Sequence, residues 1–339
     1  MRPRGFLRVS LVCVVWWTGV QAVGAQSPPE PKPSPPTVQF EAGLGGWISS
    51  GSTTWSHDAS VVEPRVGNPS SRLEYKDVAV NFIELKGRAN LLNRFFLRVA
   101  FGFADIGGGR LTDDDFVSAQ GAAFFGTTTP GAQRISRTFS DIKGDDSWYG
   151  SIEAGGRLLN FPHHRGHLDG FVGYRYWTQR HTATGVAQVE CTSPSFCDPV
   201  GTISNVRQDA ISNEQTWQSL ELGLDVEYRL LRRLSLYGSG AFLPLNWLKN
   251  DDVHHLRTDL QQDPSFRMTG WGIGANVEAG ATVAILSQLF LDVGYRFWWN
   301  QVLDGRWENF PVGGGGVDVP LREFRSIRQG LTLGLRYRF

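Results

Sequence analysis

Two short segments gather the residue types that could do chemistry. Residues 107–116 run through three glycines into Asp113, Asp114 and Asp115, and residues 247–255 carry Asn250, Asp251, Asp252, Val253, His254 and His255. In an extended chain, residues two apart point the same way, so Asp113 can converge with Asp115 and Asp252 with His254. A carboxylate beside an imidazole fixes its tautomer and raises its basicity, which lets it take a proton from water. A second carboxylate pair opposite can hold that water and stabilise developing positive charge. Taken alone, the aspartates would also suit a solvated acidic loop or a calcium site, and His254 and His255 an exposed loop pair.

The elements that must position these pairs are strands. The last nine residues alternate without a break: Leu331, Leu333, Leu335, Tyr337 and Phe339 share one face, and Thr332, Gly334, Arg336 and Arg338 the other. Period-two alternation puts those sets on opposite sides of a sheet. Phe95 to Phe103 and Leu220 to Leu230 repeat the pattern, the latter with a charge at almost every second position, which predicts a wet lumen behind an apolar wall. Runs beginning near Thr37, Leu73, Phe95, Trp148, Leu168, Leu220, Leu234, Trp271, Leu289 and Leu331 give ten strands. The short connections at 91–94, 160–167, 231–233 and 285–288 alternate with long ones at about 50–71, 105–146, 183–213, 249–266 and 304–326. The fold expected over 37–339 is therefore an all-β, ten-stranded antiparallel transmembrane β-barrel with short periplasmic turns and long extracellular loops.

Arg2, Arg4 and Arg8, the apolar run from Val9 to Val20 and the small residues Val23 to Ala25 read as a signal peptide over 1–25. Residues 26–36 read as a Pro-rich periplasmic linker, because proline removes ladder donors. The 33 basic residues balance 33 acidic ones, and loss of the leader arginines leaves a charge of about −3, which argues against nucleic acid as a partner. Cys191 and Cys197 lie close together in a polar segment and are expected to form a disulfide in an oxidising compartment. His163, His164 and His167 read as a polar turn rather than metal ligands, and no metal site is expected.

These residues together resemble the omptin family, outer-membrane endopeptidases of Gram-negative bacteria built as ten-stranded barrels. The family's Asp-x-Asp pair falls on Asp113 and Asp115 and its Asp-x-His pair on Asp252 and His254; residues 71–76 and 84–87 look like its second strand. The likeness is best over 71–116 and 220–339. It implies a metal-independent Asp/His endopeptidase at the extracellular rim, in which His254, oriented by Asp252, activates water while Asp113 and Asp115 bind that water or help protonate the leaving amine. It implies no cofactor, with lipopolysaccharide as an activating lipid, and it implies polypeptide substrates. It also implies recognition of the terminal Phe339 strand by the barrel-assembly machinery, and a cell outer membrane location. At the positions where members that cut at basic residues place pocket acids, this chain has Trp55 and Asn250; Asp58, Glu63 or Asp251 would serve if the loops are shifted. The rival reading is a non-catalytic outer-membrane barrel, either a narrow pore or a structural or adhesive protein.

Overall fold

The computed structural model describes residues 38–127 and 133–339. The expected signal peptide and Pro-rich linker lie outside them. Among the described residues eleven strands follow one another: β1 (Gln39–His57), β2 (Val66–Leu91), β3 (Phe95–Val117), β4 (Arg134–Ile142), β5 (Asp146–Asn160), β6 (Gly166–Cys191), β7 (Ile203–Leu231), β8 (Leu234–His254), β9 (Phe266–Ala284), β10 (Leu289–Asn309) and β11 (Asp318–Arg338). All neighbouring pairs are antiparallel, and β1 pairs with β11 from Glu41 opposite Arg338 to His57 opposite Leu321, which closes the ring.

The eleven strands make ten staves. β4 and β5 both lie between β3 and β6: β5 covers Phe95 to Asp105 of β3, and β4 covers Gly109 to Phe116. They are one stave broken at 143–145, where Gly144 and Asp145 take positive φ. The fourth strand therefore begins at Arg134, not at Trp148 as the alternation predicted.

Every stave is longer at its loop end than the sequence pattern suggested. A bilayer needs about 9–11 residues of tilted strand, whereas β2 has 26 and β7 has 29. The connections expected to be long shrink to 58–65, 118–133, 192–202, 255–265 and 310–317. Exposed apolar side chains form the lipid-facing band, including Phe95, Leu97, Val99, Phe101 and Phe103 on β3 and Leu331, Leu333, Leu335 and Tyr337 on β11. Beyond that band the outer face meets water and the inner face is packed, so the polar and apolar sides exchange and the simple alternation is lost.

The lumen is filled rather than open. Arg296 contacts Glu84 and, at 2.6 Å, Glu278; Arg98 contacts Glu153 and, at 3.0 Å, Asp225; Arg175 reaches Glu221 at 3.0 Å. Arg98, Glu153, Arg175, Asp225, Glu278 and Arg296 line a cavity of about 280 Å³. Above it, Trp298 packs against Trp47, Tyr149 and Trp177 at ring separations of 4.8, 5.0 and 5.5 Å. The charges that predicted a wet lumen are thus largely neutralised by one another, and an aromatic layer separates them from the rim.

At the loop end, Cys191 and Cys197 form a disulfide with Cα atoms 5.7 Å apart. It holds the turn after β6, whose Phe196 packs edge-on against Phe125, just beyond the short helix α1 (Ala119–Phe124).

Candidate active site at the barrel mouth

Two strand irregularities aim the candidate residues inward. Along the lipid-facing part of β3 the odd residues Phe101 and Phe103 point out, while Ala104 and Ile106 are buried inside. Continued unbroken, that phase would turn Asp113 and Asp115 outward. The β2–β3 register shifts where Lys76 to Val80 meet Arg110 to Ile106, with Gly108 and Gly109 at φ of 151° and 157° and Asp77 at 54°. A Cβ at Gly109 would lie 2.9 Å from the Lys76 carbonyl oxygen, so the bulge needs glycine there. Past it Leu111 is buried, and Asp113 and Asp115, two and four residues further on, fall on its side of the strand and are half-buried.

β8 makes the same change of phase. Leu236 and Phe242 are exposed and Leu243 is buried, but the register shifts between Leu243 and Asn246, and beyond it Asn246, Leu248, Asn250 and Asp252 are buried. Pro244 sits inside that shift, where its missing N–H costs no ladder bond. The expected loop positions of all four candidate residues are corrected accordingly: they lie on the projecting ends of β3 and β8, whose backbones are fixed by neighbours on both sides.

His254 Nε2 lies 3.0 Å from Asp252 Oδ1. Asn213 Nδ2 donates to the other oxygen, Asp252 Oδ2, at 2.9 Å, and the His254 backbone N–H donates to Ser265 Oγ at 3.0 Å. The imidazole meets the Phe266 ring edge-on at 4.7 Å. From the opposite wall, the Tyr75 hydroxyl on β2 comes within 3.5 Å of Asp252 Oδ2, and the Tyr75 ring stacks on His181 at 4.9 Å. Tyr75 is the side chain that spans the mouth. Asp113, on the strand beside it, lies 3.5 Å from Ser71 Oγ.

The electrostatics separate the carboxylates. Burial, followed by the charges of Asp115, Asp252 and Asp114, holds the Asp113 carboxyl well above the usual carboxylate range. Burial raises Asp115 to about 6, opposed by His254 and Arg257. Both carboxyls thus hold a proton more tightly than a free aspartate, while Asp114, facing the other way, is clamped by Arg137 at 2.6 and 2.7 Å.

Trp55, opposite the Leu73 that pairs with Asp113, and Asn250, two residues before Asp252, are fully buried, Asn250 donating to Met268 Sδ at 3.2 Å. The acids that would replace pocket carboxylates if the loops were shifted are each engaged by a cation: Asp58 by Arg322, Glu63 by Arg65, and Asp251 by Lys249 and Arg267. At the other end of the barrel His167 lies 3.5 Å from Asp169, which also holds Arg88 and Arg157. The sequence reading missed Tyr75, Asn213, His181 and His57. His57 continues the inward phase of Trp47, Ser49, Thr53 and Trp55, so extending β1 by a few residues would have found it.

The raised Asp115 carboxyl gives a stability prediction. Its proton is held more tightly than at the ordinary value of 3.8, so its stabilising contribution is complete below about pH 4 and lost as the pH rises through about 6. His57 acts oppositely. Burial depresses it from 6.5 to about 4, so its contribution is present above about pH 6.5 and lost as the pH falls through about 4. Asp115→Asn should exceed wild type in stability by about 1–3 kcal/mol at pH 7, with the difference closing by pH 4. Urea unfolding at both pH values measures it, and a difference independent of pH would refute the assignment.

The model of the Protochlamydia outer membrane protein family matches residues 51–310. No curated protein matches the chain. Among solved structures, the outer membrane protease OmpT from Escherichia coli aligns with a TM-score of 0.70 at 17% identity, covering 89% of this chain and 97% of that one. A FadL homologue from Pseudomonas aeruginosa aligns at a TM-score of 0.29 and 11% identity, covering 89% and 90%, and carries no argument. At this identity the first likeness establishes the fold, an omptin-like barrel. With a closed ring of staves, an exposed apolar band and a family match over most of its length, this outer-membrane β-barrel belongs to the Protochlamydia outer membrane protein family.

Proposed function

We propose that this barrel is an omptin-like endopeptidase whose rim hydrolyses peptide bonds with water activated by His254 and Asp252. One observation carries the reading: His254 lies 3.0 Å from Asp252 on β8, and Tyr75, two residues from the Leu73 that pairs with Asp113, reaches the same Asp252 from the opposite wall at 3.5 Å. Asn213 holds Asp252, Asp252 lies beside the imidazole, and His254 takes a proton from a water held between the two walls. That water attacks the carbonyl carbon, and the Asp113–Asp115 pair, which retains a proton, supplies one to the leaving amine. No side chain is acylated and no cofactor is called for.

The pocket chemistry argues against strict dibasic cleavage. An arginine side chain entering the site needs a carboxylate to replace its lost hydration, and an unpaired buried charge costs several kcal/mol. Trp55 offers at most a cation–π contact of about 0.5–2 kcal/mol, and the nearby acids already hold cations. Lipopolysaccharide is the proposed activating lipid; Lys76 and Arg110, exposed and paired just above the apolar band, suit its phosphates. The Phe339 strand, which closes the barrel, is the proposed signal to the barrel-assembly machinery.

A peptide library incubated with the refolded barrel, with and without lipopolysaccharide, tests the proposal. Expected are cuts that increase on adding the lipid and are not confined to pairs of basic residues. Sharp cleavage at Arg-Arg or Lys-Arg would refute the pocket argument. Equal activity without lipid would remove the lipid role, and the absence of cuts under every lipid condition would favour the non-catalytic barrel.

A further inference from the structure

His57 is a second imidazole at the mouth. It is 7% exposed, its Nδ1 has no hydrogen-bond partner, and its ring stacks on Trp307 at 4.0 Å and 3°. Trp307 stacks on Phe266 at 4.8 Å, and Phe266 meets the His254 ring edge-on at 4.7 Å, so two aromatic rings tie the imidazoles together. His57 pairs with Ser71, and Ser71 with Asp115, which sets all three at neighbouring inward positions on adjacent staves. The neighbouring acid Asp58 is occupied by Ser60 and Arg322. Burial and the proximity of His254 oppose a charge on His57, and only Asp58 favours one.

A buried, neutral, rigidly stacked imidazole with an unused ring nitrogen is poorly explained as packing, because an aromatic hydrocarbon would fill the same space without an orphaned polar atom. Resting on the endopeptidase reading, we propose that His57 is a further catalytic residue of the rim, donating a hydrogen bond from Nδ1 to the scissile carbonyl oxygen as that oxygen becomes negative. The step balances with no proton gained or lost by His57. The water oxygen bonds to the carbonyl carbon, its proton passes to His254, and the π pair moves to the oxygen that His57 holds. When the C–N bond breaks, that pair re-forms the carbonyl and the amine takes a proton from the acid pair. A neutral donor suits this task, since it lowers the barrier without competing with His254 for the water's proton.

The test uses the full-length barrel refolded with lipopolysaccharide, a peptide that wild type cleaves, and the variants His57→Phe, His57→Asn and His57→Ala. Phenylalanine preserves the stack on Trp307 and removes the donor; asparagine places an N–H near the position of Nδ1. Expected for His57→Phe is a kcat lower by about 10²-fold, with KM within about threefold and heat-modifiable migration unchanged. His57→Asn should recover at least about tenfold over His57→Phe, or over His57→Ala if the phenylalanine variant does not fold. Wild-type activity in His57→Phe beside a silent His254→Ala would overturn the role of His57 and leave the endopeptidase reading standing. Equal losses in the asparagine, phenylalanine and alanine variants would assign His57 to packing and also overturn the proposal. A silent wild type would remove both.

Discussion

Replacing His254 by alanine should lower peptide cleavage by about 10²–10⁴-fold, the range that a positioned general base contributes. Asp113→Ala should fall comparably, for a different reason. In the proposed mechanism His254 accepts the water's proton, whereas the Asp113–Asp115 pair, both carboxyls raised by burial and Asp113 also by the charge of Asp115, supplies one to the amine. Because both groups act in one passage through the transition state, the double variant should be scarcely worse than either single one. Neither change should unfold the barrel. Asp113 is an acid that the fold holds above its ordinary range, so its removal relieves repulsion, and the His254 main chain remains bonded to Ser265. Heat-modifiable migration separates the two effects. Loss of cleavage together with loss of that migration would mean that the residues support the rim rather than act in it. Retained cleavage in His254→Ala would eliminate the proposed mechanism.

The fold was legible wherever lipid imposes its pattern. From Leu331 to Phe339 and from Phe95 to Phe103 every second residue must be apolar because it faces hydrocarbon, and those stretches, with the short turns, were enough to count ten staves. The projecting ends were not legible. There the outward side chains, such as Arg137 and Arg267, meet water while Leu73, Tyr75, Met268 and Phe324 pack inside, and bulges at Asp77, Gly107–Gly109 and Pro244 reset the phase. A reader holding one phase along β3 would turn Asp113 outward. The four candidate residues were found by their two-residue spacing, which survives a phase reset. Tyr75 and Asn213 belong to no such pair, and their part at the mouth emerges only when β2 and β7 are placed beside β3 and β8.

Arg296→Met should destabilise the barrel by about 3–5 kcal/mol, the cost of leaving buried charge without its partner. The guanidinium lies between Glu84 of β2 and Glu278 of β9, with its carbon 4.9 Å from the Trp47 ring centre. Glu84 is 1% exposed, so the loss of Arg296 leaves it only Lys86, at 3.0 Å, and the Tyr149 hydroxyl. Methionine matches much of the volume, which makes the expected loss electrostatic rather than a cavity effect. Adding Glu84→Gln should therefore recover about half or more of it, and a double-mutant cycle isolates the coupling. The exposed Arg306–Asp318 pair is the control, since its disruption should change stability by less than about 1 kcal/mol. Urea unfolding in lipid vesicles measures all four variants. A loss under about 1 kcal/mol for Arg296→Met would show that water reaches Glu84 and that the lumen is open below the aromatic layer, restoring the narrow-pore reading. The expected loss would instead make the Arg296 cluster and the Trp298 layer above it a rigid plug, against which the projecting staves can hold two walls of a rim site in fixed register.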